Sequence, residues 1–439
     1  MKTIRRYIVA LITGLICLSA NAQTTWSLKA CIDTAFKQNI SLNQEQLGTQ
    51  IEKINLTQSR AAMLPNLNMN DVYSLNAGSI KDPSTSQYTR QNISTNDFGI
   101  NSSVTIFNGW LLLNTVKQNK LLYEAGMLDV EKTKNDILLN VVAGYMQVLM
   151  DYEAISVAQA QVDATTVQVR QIQQFVDFGK LAELSLLQIQ SQLSSDKLLK
   201  VNADNQLLLD KLTLLQLMVV PVRNDFDLPR MELKELFPEI PMSPNEIDKI
   251  SESFLPQIKS ASQKTDAALF SLRMAESGIL PKLSLGGALL TGYTGAKSEQ
   301  FGSQFKNNFS QQVSLTLAIP IFNNLMVRSI VAIAKINVQN VQWNEKQIRN
   351  DVRKSIEMFY TNQVMAGRKL LATQEQMELE KRTYSDMEKK FNVGAMGVTD
   401  FLIEKNNYNK AKMLLIQAKY DYVLKAKMVD FYLGKSLIF

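Results

Sequence analysis

The sequence predicts a mainly α-helical chain, built twice over, in which long helical hairpins alternate with short pairs of β-strands. Three observations lead there. First, six of the ten prolines crowd into the stretch from Pro221 to Pro256, while 84–220 and 321–439 hold none. Proline breaks helix interiors, so two proline-free stretches around a proline-rich middle read as two helical blocks and a connector. Second, the blocks repeat each other at an offset of 215 residues: Phe107-Asn108 matches Phe322-Asn323, Tyr145 matches Tyr360, Gly179 matches Gly394 and Lys197 matches Lys412, without a gap. Upstream, Leu64-Pro65-Asn66-Leu67 matches Leu280-Pro281-Lys282-Leu283 at an offset of 216. Third, four windows switch from helical spacing to alternation of apolar and polar residues.

The N-terminus reads as a secretory signal over residues 1–22. Lys2, Arg5 and Arg6 precede the mostly apolar run Tyr7 to Leu18, and Ala20-Asn21-Ala22 supplies a small-x-small cleavage site. That run is too short to span a bilayer as a helix, and no later apolar run reaches the roughly 18 to 20 residues required. Removing the three basic residues leaves 44 basic side chains against 41 acidic ones, so no nucleic-acid footprint remains. Cys17 departs with the signal, and Ile16 stands where a lipoprotein signal needs a small residue; Cys31 is then alone and can form no internal disulfide. The chain has no histidine, which excludes Ser-His-Asp and Cys-His catalysis and every histidine metal site. No paired-carboxylate motif emerges, so an enzyme is not expected.

The first repeat is placed at 23–220. It opens with a helix from Leu28 to Ala62, N-capped by Ser27 and closed before Pro65. Alternating strands follow at Leu67 to Leu75 and Asp97 to Phe107. After a Pro-rich connector at 221–256, the second repeat occupies 257–439. Its opening helix, Glu246 to Gly278, is entered near Pro256, and its strands run from Leu283 to Tyr293 and Phe309 to Ile319. The connections Asn76 to Asn96 and Thr294 to Asn308 are rich in Gly, Ser, Asn and Gln and read as loops. Strands of this length suit a tilted bilayer crossing, yet a soluble sheet with one wet face fits the alternation equally well. Asp71, in the apolar row of the first strand, speaks against lipid unless a bulge shifts the register.

Each strand pair leads into the longest element, Leu111 to Asp177 and Leu325 to Phe391. At 1.5 Å per residue such a helix reaches about 100 Å. Glycine ends it at Gly179, or at Gly394 and Gly397, and a second helix returns over Ala182 to Val219 and Val398 to Leu433. A helix this long must pack against neighbours along its whole length. A helical tube and a free-standing coiled-coil scaffold both meet that need.

This order, given twice after a signal peptide, resembles the TolC-like outer-membrane efflux family over nearly the whole chain, Trp26 to about Gly434. The opening Trp26-Ser27-Leu28-Lys29-Ala30 through Asn39 is similar to the family's first segment. Leu64-Pro65-x-Leu67 and Leu280-Pro281-x-Leu283 look like its approaches to the strands, and Phe107-Asn108-Gly109 like its exit into the long helix. The resemblance implies a homotrimer whose four strands per chain close a 12-stranded outer-membrane β-barrel. The hairpins would form a periplasmic α-barrel, with 221–256 in an equatorial collar. It further implies a passive exit duct for a tripartite efflux or type I secretion system, served by a periplasmic adaptor and an inner-membrane pump, with no cofactor and no enzymatic step. A soluble periplasmic coiled-coil scaffold or adaptor is the alternative.

Site residues also follow from the resemblance. Asp400, after Phe391-Asn392-Val393-Gly394, matches the family's pore-constricting carboxylate, and Glu404 lies beside it on the same helix. Capping the return helix is the simpler role for Asp400. The family's second carboxylate corresponds here to Ile403, its arginine latch to Met396 and a tyrosine to Phe391, while Ser185 takes the Asp position in the first hairpin. Phe178-Gly179-Lys180 and Val393-Gly394-Ala395, at the hairpin tips, are the candidates for adaptor docking, although each glycine could equally do no more than make its turn.

Overall fold

The computed structural model describes residues 25–81, 86–90, 92–223, 225–230, 238 and 242–437; the signal segment and much of the connector lie outside them. The helices are α1 (Leu28–Gln38), α2 (Ile40–Ala61), α3 (Leu111–Asp177), α4 (Glu183–Leu217), α5 (Pro244–Phe254), α6 (Pro256–Glu276), α7 (Phe301–Asn307), α8 (Met326–Asn392) and α9 (Val398–Tyr432). The strands are β1 (Asn66–Asn76), β2 (Ser79–Lys81), β3 (Tyr88–Arg90), β4 (Ile93–Asn108), β5 (Lys282–Thr294) and β6 (Ser310–Ala318).

The duplication is visible element by element. α3 and α8 have 67 residues each, α4 and α9 have 35, and both pairs are offset by 215. α1 and α5 have 11 residues each, at an offset of 216. Even the unusual backbone repeats. Gly109 and Trp110 take φ of 65° and 68° between β4 and α3, and Asn324 and Leu325 take 51° and 63° at the matching corner. Two successive left-handed residues turn the chain sharply from extended to helical backbone.

The opening helix of each repeat differs from expectation, because it is two helices rather than one. Asn39 leaves the helical region with ψ of 124°, and its side chain accepts from Leu42 N–H at 3.0 Å, so it caps α2 as α1 ends. At the matching corner Leu255 is extended (ψ 123°), the conformation that the following Pro256 imposes. Ser27 does cap α1, accepting from Ala30 N–H at 3.3 Å. α5 begins at Pro244, inside the stretch read as connector, and Glu246 accepts from Ser243 N–H at 3.0 Å.

Two compact units compose the chain. Among the described residues, one holds those up to Gln44, those within Glu131–Leu255 and those from Asn350 on; the other holds those within Glu45–Val130 and Pro256–Arg349. The second unit contains the sheet, in the antiparallel order β1-β4-β5-β6, with β1 and β6 as its edges. Pairing through Asp71 is unbroken (Asp71 opposite Phe98), so no bulge rescues it. Asp71 shares a face with Leu67, Met69 and Ile100. The irregularity falls instead between Thr105 and Phe107. The loop expectation also needs correction. The first connection carries the small β2–β3 hairpin, and the second carries α7, whose Phe301 and Phe305 pack edge-on against Phe98.

In the first unit, the described part of the connector is pinned to the first hairpin. Asp227 accepts from Lys211 Nζ at 3.0 Å and is hydrogen-bonded to the Tyr152 hydroxyl, while Trp26 N–H donates to its carbonyl at 2.9 Å. Cys31 is buried and free, its thiol pushed up to about 12 by burial and therefore inert.

Candidate functional site at the hairpin ends

Both hairpins turn by the same device. Gly179 and Gly394 sit at φ of 70° and 75°. In the first turn Gly179 N–H donates to Val176 O (2.9 Å) and Lys180 N–H to Phe175 O (2.8 Å); in the second, Gly394 donates to Phe391 O (3.0 Å) and Ala395 to Lys390 O (2.9 Å). These paired bonds form a Schellman motif, which satisfies the last helical carbonyls and requires a left-handed residue at the glycine. The residue before each glycine projects into solvent: Phe178 is 76% exposed and Val393 79%. Lys180 folds back over the Phe175 ring, 5.9 Å from its centroid. The tip residues Phe178, Gly179 and Lys180, and Val393, Gly394 and Ala395, thus form two small exposed caps.

Behind the caps lies a core shared by the two hairpins. Ile172, Leu186 and Ile189 come from the first, and Phe391, Val398 and Phe401 from the second. Met396, which stands where the resemblance puts an arginine, packs against this core. Phe391, at a tyrosine's place, stacks on Phe401.

Asp400 and Glu404 lie on the first two turns of α9. Asp400 is exposed in the first turn, close to Gly397, where a carboxylate favours the helix N-terminus. Asp400, Ile403, Glu404 and Asn407 follow the i, i+3, i+4, i+7 spacing of a single helix face, with Glu404 only partly exposed.

The opposite face of α9 holds what sequence reasoning missed. Lys405 is 2% exposed. Its Nζ donates to Thr165 Oγ1 (2.5 Å) and Gln168 Oε1 (2.6 Å), both on α3. The Thr165 hydroxyl is in turn hydrogen-bonded to Asp196 on α4, which also accepts from Gln161 and Gln192, each at 2.7 Å. Gln168 reaches Tyr384 on α8, whose hydroxyl donates to Glu388 at 3.1 Å. Burial pulls the Lys405 ammonium down to about 8, against the pull of Asp196 and Glu388. A lysine at i+4 from Phe401 in an otherwise apolar stripe was the available signal.

The family model described as outer membrane efflux protein matches residues 31–218 and 254–435. The Escherichia coli outer membrane protein TolC is 24% identical over 391 residues, covering 87% of this chain and 76% of TolC. Among solved structures, CusC has a TM-score of 0.81 at 17% identity, covering 94% of this chain and 93% of CusC. The Campylobacter jejuni outer membrane channel CmeC has a TM-score of 0.76 at 20% identity, covering 93% and 85% respectively.

Proposed function

The chain belongs to the outer membrane efflux protein family, and on that premise we propose that three copies assemble into a passive exit duct, working with a periplasmic adaptor and an inner-membrane pump in a tripartite efflux or type I secretion system. The observation that carries this reading is the sheet. Its outer strands, β1 and β6, are unpaired edges, and the face shared by Leu67, Met69, Ile100, Leu285, Val313 and Leu315 is largely uncovered; Val313 is 81% exposed. Four strands cannot close on themselves, and open edges are untenable in lipid. Three copies would bring twelve strands with the apolar row outward, Asp71 standing in that row against the lipid assignment at its own position, and the row of Asn68, Asn70, Asn101, Ser103, Gln312 and Ser314 lining a wet lumen. A soluble coiled-coil scaffold would leave that apolar face in water.

On this reading Asp400, from each copy, supplies an anionic ring at the lumen with Glu404 behind it, and the tip caps at Phe178–Lys180 and Val393–Ala395 receive the adaptor. Like charges gathered on one axis attract cations. The pump, rather than this chain, would choose the substrate and supply the energy. The test is purified protein in planar lipid bilayers. Discrete cation-selective conductance steps are expected; a protein that inserts without conducting, or never inserts, would overturn the duct.

A further inference from the structure

The apolar face of the sheet carries aromatic residues at two heights. At the foot, from which α3 and α8 depart, Phe107 packs edge-on against the exposed ring of Trp110. Further up β4, Phe98 meets Phe305 and Phe301 of α7 at centroid distances of 5.3 and 6.4 Å, and Phe301 meets Tyr293 at 5.3 Å. The register puts Phe98 opposite Thr291, on the face of Met69, Ile100 and Leu289. The step from Phe98 to Phe107 is nine residues. At about 3.3 Å each and a tilt of roughly 40°, they rise about 23 Å, close to the roughly 25 Å apolar band of a membrane barrel. The α7 cluster thus stands where the outer headgroups begin. Asp71, opposite Phe98, falls at the same level, at the edge of the hydrocarbon and not within it.

α7 is fastened to that face. Thr291 Oγ1 donates to Phe305 O at 2.5 Å, and Asn308 Nδ2 to Gly292 O at 2.7 Å. The buried Gln304 accepts from Thr294 N–H at 3.0 Å and donates to Thr294 O at 3.1 Å and Glu299 O at 2.9 Å. A helix that merely shielded the sheet from water would bury its rings and turn a polar side outward. Here Phe301 and Phe305 stay 48% and 39% exposed. α7 carries one charge, Lys306, and Lys297 stands in the segment leading into it; both are exposed. Lys306 also suits the end of a helix, but Lys297 precedes the helix and gains nothing there. Half-exposed rings flanked by cations complement a lipid whose acyl chains end in a phosphorylated headgroup. Two acids share the neighbourhood, Asp71 on the same face and the exposed Glu299. Carboxylates only accept hydrogen bonds, so they favour a headgroup that also offers amide and hydroxyl donors, as a glycolipid does.

We propose that the α7 cluster seats the phosphorylated, acylated glucosamine lipid of the outer leaflet, lipopolysaccharide, with acyl chains against Phe98, Phe301 and Phe305 and a phosphate held by Lys297 and Lys306. The proposal rests on the duct reading for the outward sense of the apolar row.

Native mass spectrometry of the detergent-purified protein tests the seat, with added bis-phosphorylated lipid A as the probe. Each protomer should retain one lipid A. Lys297→Glu with Lys306→Glu, both at exposed side chains, should weaken that retention tenfold or more and leave the mass of the oligomer unchanged. Lipid A stripped of its phosphates should bind the unaltered protein more weakly by a similar factor, which reads the same contact even if the double variant fails to fold. Phosphatidylglycerol, anionic but without the sugar, should also bind at least tenfold more weakly. Retention that is equal in the double variant, equal for phosphate-free lipid A, or equal for phosphatidylglycerol would overturn the seat. A protein that trimerises and conducts without retaining lipid A would sink this proposal alone. One that retains lipid A through the two lysines, yet neither trimerises nor conducts, would keep the seat and lose the duct.

Discussion

Phe391 and Phe401 stack face to face across the turn of the second hairpin, ring centroids 4.5 Å apart and planes within 14°. The turn is thereby closed by apolar stacking, at a position where the family resemblance led us to expect a tyrosine hydroxyl. Offset stacking of this kind adds roughly 0.5–1.5 kcal/mol beyond the area buried.

Phe401 is completely buried, so Phe401→Ala should cost about 3–5 kcal/mol of local stability by leaving a cavity beneath both tips. Limited proteolysis should then cut near Val393 and Phe178 at lower protease concentration. Unchanged cleavage would mean that the stack carries little of the tip's order.

Glycines at positive φ differ in what a methyl group would meet. At Gly179 there is open space, so Gly179→Ala should cost only the left-handed backbone penalty of ~1–2 kcal/mol. At Gly109 a Cβ would lie 2.8 Å from both Leu280 Cβ and Ser277 O. Gly109→Ala should therefore lower the yield of folded, membrane-inserted protein well below that of Gly179→Ala. Equal yields would show that the β4–α3 corner can relax.

Asp151 on α3 is 4% exposed and lies beside Asp210 on α4, with Gln147 donating to one oxygen at 3.4 Å. Its other oxygen has no hydrogen-bond partner among the described residues. Burial, and then the neighbouring carboxyl, push its pKa up to about 8. An unfolded Asp releases its proton near pH 4. Between those values the folded chain holds more protons than the unfolded one, so this contribution is complete below about pH 4 and is lost as pH rises through 8. The melting temperature should fall from pH 6 to 9, and Asp151→Asn, permanently neutral, should flatten that slope. Identical slopes would argue against a protonated Asp151.

Asp400→Ala should raise single-channel conductance and weaken block by polyvalent cations, the latter by tenfold or more if three carboxylates act together. Glu404→Ala should do less, since Glu404 is only partly exposed. No change with Asp400→Ala would leave that residue the simpler role of favouring the start of α9.

The parts of the fold legible in the sequence are those set by local chemistry. Proline exclusion and a left-handed glycine mark α3, α4, α8 and α9 to within a residue or two at most ends, because helix termini are decided by the residues that stand there. The strands were legible for the same reason, through their period. What escaped depends on distant partners. α7 is held by aromatic contacts to Phe98, about 200 residues upstream. Lys405 reads in isolation as one more solvated lysine, and its burial is decided by Thr165 and Gln168, 240 and 237 residues away. The break at Asn39 leaves no sequence signal because asparagine is tolerated in helices and caps equally; the break at Leu255 has its signal in Pro256, which lies inside the single helix Glu246 to Gly278 expected from the sequence.

The claim on which the rest depends is that one chain supplies a third of a closed barrel, and the most direct test is the native mass of the protein extracted from membranes in mild detergent, with the detergent subtracted. Without residues 1–22 each chain weighs about 47 kDa, and cyclic closure with three copies gives about 141 kDa. A trimer that needs detergent is the predicted result. A monomer or dimer that stays in solution without detergent would contradict the shared barrel and the duct with it.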